Sequence, residues 1–299
     1  MIDALTLTRN QLERQLSHWE LASAELGNLA HTASPQAWAS LERYVGVALR
    51  KNLKEAVDQL CKEAQVIRAM FRAGRTMQDL DRICGEIVAF RSRYLRTETL
   101  VDYYGHAVNT RTNPELSVNL RALDVLAMKS LAAVLEPLGK QVPPVLTYLD
   151  KGLGASILKA GLRLWDGSVS TVATVKVTYH NRRSPTALLH EVGHQAAHIF
   201  DWNTELSRLL SEGIRKHSAT LADLWSAWAS EIAADCVAFV HGGYGAVATL
   251  SDVVASDAPT VFRYLPGDPH PISYVRVLLG VEMCRRFYGR GAWDELAEA

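Results

Sequence analysis

The sequence predicts an α+β fold that is mostly helical. A helical bundle comes first, and a domain with a small mixed sheet follows it. Three observations carry this. Residues 1 to about 108 contain few prolines and glycines, and their apolar residues recur at spacings of three and four. Three short strand-like runs lie between Pro144 and His180. Helical spacing then resumes at Ser184 and continues to the end of the chain. A small sheet followed by helices is an α+β arrangement. The 299 residues therefore divide into a bundle over 1–112 and a second domain over 113–299.

In the bundle, Ser34-Pro35 marks a helix start: a capping hydroxyl precedes a ring already set for the first turn. The second helix follows, with Leu41, Val45, Ala48, Leu53, Val57 and Leu60 on one stripe. Breaks fall near 31–36, 73–78 and 109–114, which gives three or four helices. His18, His31 and His106 are isolated and read as surface or structural residues. A helix over about Glu115 to Leu138 opens the second domain. The strand runs are Pro144 to Asp150, Ile157 to Trp165 and Ser170 to His180. The last alternates, with Ala173, Val175, Val177 and Tyr179 on one face. Lys176 on its other face suits an edge strand.

Composition excludes several classes of function. Lys plus Arg and Asp plus Glu are both 32, so the net charge is zero. That argues against a chain that chiefly grips nucleic acid or an anionic membrane. Four cysteines without CxxC spacing are too few for a disulfide scaffold. No apolar run has the length of a signal peptide core or a membrane span, so a cytoplasmic protein is expected.

Ser184-Pro185 signals another helix start, and six residues later the chain reads His190-Glu191-Val192-Gly193-His194. On a helix, positions i and i+4 lie about 40° apart around the axis, so both imidazoles can reach one metal ion. Glu191 can stand beside a metal-bound water and take its proton. Two imidazoles suit Zn2+. Gly193 sits in mid-helix, where glycine costs about 1 kcal/mol relative to alanine, a position that serves close packing.

A third ligand is required. His198 continues the series but points about 80° away from His190 and lies about 12 Å further along the axis, so it reads as packing. Glu231 is the better candidate. It stands beside an apolar stripe of Leu221, Trp225, Trp228, Ile232 and Phe239, where a carboxylate must be paired, coordinated or protonated. Asp235, one turn on, can accept a hydrogen bond from the far nitrogen of a zinc-bound histidine. Downstream, His270 precedes Pro271 at an expected helix start, and Arg276 lies inside that helix. A fixed histidine and an arginine are donors suited to an oxyanion.

HEVGH, SEIAAD and HPxxxxR together resemble the gluzincin metallopeptidases. Their order is most similar to the family of CAAX prenyl proteases and bacterial heat-shock membrane proteases. The resemblance implies a zincin-like domain with His190, His194 and Glu231 as zinc ligands and Glu191 as catalytic base. It also implies an orienting Asp235, and His270 and Arg276 as transition-state or substrate contacts. Members of that family are mostly membrane-embedded, and the N-terminal bundle has no counterpart among them.

The expected function is peptide-bond hydrolysis by a zinc-activated water, with the peptide or protein substrate extended along the Ser170–His180 strand. Three alternatives stand beside it. One is amide hydrolysis on a small molecule. Another is a non-catalytic zinc scaffold, for which Cys236 would be the suspect fourth ligand. The third is a helical interaction module that recruits a protein partner through the N-terminal bundle.

Overall fold

The computed structural model describes every residue except 1, 2, 153, 164–168, 184 and 299. The predicted helix start at Ser184 and the end of the run at Trp165 lie outside the described residues. The described chain is mostly helical with one three-stranded mixed sheet. It divides into two units, Met1–Asn113 with Leu162–Ser170, and Pro114–Gly161 with Thr171–Ala299. The first unit is thus discontinuous in sequence. No described helix is long and apolar enough to cross a membrane.

The first unit contains α1 (Ala4–Leu26), α2 (Leu29–Thr32), α3 (Pro35–Val45), α4 (Leu49–Ala73) and α5 (Met77–Thr110). Ser34 caps α3 by accepting a hydrogen bond from the Ala37 N–H. The predicted second helix is in fact two. Gly46 adopts φ +71° and ends α3, a left-handed cap that glycine takes without steric cost. Leu12, Leu16, Leu60, Ile67, Leu80, Ile83 and Phe90 form the core of α1, α4 and α5. Arg68 of α4 ties this core to α1, reaching Glu13 at 2.5 Å and Glu20 at 2.5 and 2.9 Å.

The second unit opens with α6 (Pro114–Leu135) and a 3-10 turn over Glu136–Leu138. The strands are β1 (Val145–Asp150), β2 (Ser156–Leu158) and β3 (Ala173–Thr178). Then come a 3-10 turn over His180–Arg183, α7 (Thr186–Phe200), α8 (Trp202–Arg215), α9 (Ala219–Ala227), α10 (Ala229–Gly242), α11 (Tyr244–Val254), α12 (Ala258–Val261), α13 (Ser273–Tyr288) and α14 (Trp293–Glu298).

The strand read as an edge, β3, is the middle strand. It pairs in parallel with β1 and antiparallel with β2. Both of its faces are buried apart from half-buried Lys176. That lysine does not mark an edge, because its long stem carries the ammonium out past Gly152. A substrate strand therefore cannot add to β3. On the far side of β1, Thr147 N–H donates to the buried carboxylate of Asp124 on α6 at 2.7 Å. Residues of α6, β1, β3 and α7 share one core, with Leu131, Val145, Val175, Leu188 and Val192 at its centre. Gln195 of α7 grips the backbone of Ala160 both ways, at 2.8 and 3.0 Å, and so fastens the segment after β2 to α7.

Candidate metal centre

Helix α7 carries His190, Glu191 and His194, and helix α10 carries Glu231 and Asp235. The two helices meet at Gly193. A Cβ there would stand 2.6 Å from the carbonyl oxygen of Ala234 and 2.7 Å from its Cα. Only a glycine lets the backbones approach so closely. The stripe that located Glu231 is not one helix, however. It breaks at Trp228, which ends α9 and begins α10, and Leu221 on the α9 side is 48% exposed. Glu231 consequently lies in the first turn of α10, where the helix dipole favours a carboxylate.

His190 Nε2 lies 3.3 Å from Glu231 Oε2, and His194 Nε2 lies 3.3 Å from Glu231 Oε1. One atom from each of these three residues falls within 4.8 Å of the others, and the group could hold a metal ion. Each 3.3 Å separation is that of two ligands about 2.0–2.1 Å from a tetrahedral ion, and the two histidines face different oxygens of the Glu231 carboxylate. The donor set fits zinc, with two imidazole nitrogens and a carboxylate. Glu231 Oε2 is buried and, among the described residues, accepts no hydrogen bond of normal geometry. Burial alone would lower the His190 pKa, but the bond to Asp235 and the Glu231 carboxylate beside it win and push it up to about 9. Burial would raise Glu231, yet His190 and His194 hold it far below the usual carboxylate range. A bound metal ion would require these ligands deprotonated and so would compete with protons for them.

The outer atoms of both imidazoles are also engaged. His190 Nδ1 lies 2.8 Å from Asp235 Oδ1, and His194 Nδ1 lies 3.3 Å from Ser230 Oγ. Such partners fix ring orientation and tautomer. Arg276 of α13 reaches Asp235 with two nitrogens, at 2.5 and 2.8 Å, and Glu231 Oε2 at 3.3 Å. Burial would raise the Asp235 pKa, but His190 and Arg276 hold it below its ordinary value. The guanidinium expected to face an oxyanion is thus engaged with Asp235. His270 does not sit at a helix start, because α13 begins at Ser273. Its ring is placed by Asp268 instead, with Nδ1 2.7 Å from Oδ1, and its Nε2 lies 3.8 Å from Glu231.

Among the described residues, no other candidate joins the group. Cys236 turns away to donate to Met283 Sδ at 3.7 Å, and burial followed by the Asp235 charge pushes its thiol up to about 11. His198 faces Gly161, and His217 is exposed. The Nε2 of His241 is buried without a partner, away from the group.

Glu191 is buried and lines a cavity of about 270 Å³ beside the donor set. Burial raises its carboxyl above the usual range, against the pull of the two histidines. Sequence reasoning missed Ser230, Asp268 and Lys159. The first directly precedes Glu231, and Asp268 stands two residues before His270 as a turn-forming carboxylate, so both had a local signal. Lys159 had none. It follows β2, and burial lowers its pKa while Glu191 and Glu231 act to raise it.

Glu231→Gln should lower metal affinity by roughly 100-fold or more, since a ligand contributes more than the partners that orient it. Competition with a chromophoric chelator reads this. An unchanged affinity would remove Glu231 from the ligand set. Comparison with protein-family models, curated proteins and solved structures finds no match for this chain.

Proposed function

We propose that the chain is a zinc-dependent metallopeptidase of the gluzincin kind. The observation that carries this reading is a group of three side chains that could hold one metal ion, with a buried carboxylate, Glu191, next to it on a cavity wall. A structural zinc normally has four protein ligands, whereas a catalytic one keeps a position open. Only three donors gather here among the described residues.

Zinc, when bound, supplies a Lewis acid and an acidified water at neutral pH. Glu191 takes a proton from the attacking water as its oxygen bonds to the amide carbon. The carboxyl then returns that proton to the leaving nitrogen as the C–N bond breaks. His270, with Nδ1 engaged by Asp268, lines the cavity, and as an imidazolium it would offer Nε2–H to the developing oxyanion. Arg276 is a positioning residue: it holds Asp235, and Asp235 holds the His190 ring. The modest cavity volume favours, as a second reading, amide hydrolysis on a small molecule by the same residues.

Elemental analysis and peptide digestion test the proposal together. Wild type should carry about one zinc per chain and cut peptides in a mixed library, and His190→Ala should lose both. Absence of metal after zinc is added back would remove the basis of the reading. Full zinc without peptide cleavage would turn it toward the small-molecule amide.

A further inference from the structure

The cavity beside Glu191 has two unlike walls. One is the donor set with Arg276. The other is apolar and comes from four helices: Ala187 of α7, Phe239 of α10, Leu250 and Val254 of α11, and Leu279 and Met283 of α13. Apart from Glu191, the charged groups of the polar wall are committed to one another or to the metal. Asp235 pairs with His190 and Arg276, and Glu231 faces both histidines. An acidic side chain entering the cavity would meet three carboxylates, and a basic one would lose its hydration against the apolar wall. At about 270 Å³ the space lies just below the roughly 300–1,000 Å³ of pockets for drug-sized ligands. It suits one large side chain with its backbone better than a long acyl chain.

We infer that this cavity is a specificity pocket, and that Leu250, Val254, Leu279 and Met283 select a large apolar residue of the substrate next to the bond that is cut. The inference rests on the hydrolase reading for what the pocket serves, but the pocket can be tested by binding alone. The probes are capped tripeptide amides Gly-Xaa-Ala, with Xaa as Leu, Phe, Ala or Asp. Calorimetry measures their binding to the zinc-loaded Glu191→Gln protein. Leu and Phe should bind at least about 10-fold more tightly than Ala, with Asp weakest, since a single methylene in an apolar pocket is worth about 10-fold or more. Leu250→Trp, which fills the pocket, should bring the Leu-to-Ala ratio close to one. Met283→Ala, which widens it, should raise the Phe-to-Leu ratio and serves if the tryptophan variant does not fold. Equal binding of all four peptides, no measurable binding, or ratios unmoved in both folded variants would overturn the inference. Tighter binding of decanoate than of the Leu peptide would overturn it in favour of an acyl chain. Wild type that leaves the Leu peptide uncut, while the binding order persists, would count against peptide hydrolysis and leave the pocket standing.

Discussion

Glu191→Gln should leave zinc bound and reduce peptide hydrolysis by about 1,000-fold or more. The substitution conserves volume, so the buried position on α7 stays filled. The residues that could hold the metal, His190, His194 and Glu231, are unchanged. Under the proposed mechanism, what is lost is the ability to accept a proton from water and deliver it to the leaving nitrogen. General acid–base catalysis contributes about 10²–10⁴-fold, and here one carboxylate serves both steps. The loss corresponds to about 4 kcal/mol of transition-state stabilisation. The measurement is kcat/KM beside zinc content for the same preparation. Hydrolysis equal to wild type at full occupancy would remove Glu191 from the chemistry and point to another base, with Lys159 the first to examine. Loss of zinc together with activity would mean that Glu191 supports the metal instead.

The parts of this site that were legible in the sequence are those set by local geometry. His190 and His194 share a face because a helix repeats every 3.6 residues, and Asp235 follows Glu231 by one turn for the same reason. Glu231 stood out because an acid beside an apolar stripe needs a partner, although the stripe itself proved to be two helices joined at Trp228. What was not legible depends on pairing at a distance. The alternation over 173–178 signals a strand, but it does not say how many neighbours the strand has. Lys176 suggested one neighbour where there are two. The break at Gly46 was hidden because the apolar spacing continues across it from α3 into α4. The same limit applies to Arg276, which is placed against Asp235 by the packing of α13, and to the apolar cavity wall, whose four helices are contiguous only in space.

Gly193→Ala should weaken zinc binding at least 10-fold and destabilise the metal-free protein by about 1–3 kcal/mol, the usual range for an over-packed contact. Local preference alone gives the opposite sign, since alanine in mid-helix is favoured over glycine by about 1 kcal/mol. Contact decides it. The new methyl group would meet the carbonyl oxygen and Cα of Ala234 at 2.6 and 2.7 Å. These are backbone atoms, with no rotamer to move aside. Helices α7 and α10 must then part by roughly 1 Å to restore ordinary van der Waals distances. The two histidines are on α7 and Glu231 and Asp235 are on α10, so the same displacement opens both the 3.3 Å ligand spacing and the 2.8 Å bond that orients His190. Thermal unfolding in chelator reads the packing cost, and chelator competition reads the affinity. A variant with lower stability but unchanged zinc affinity would mean that the ion draws the helices together. Loss of affinity with unchanged stability would place the effect in the ligand geometry alone. A gain in stability by the full helix-propensity increment would show that α7 and α10 do not cross at Gly193.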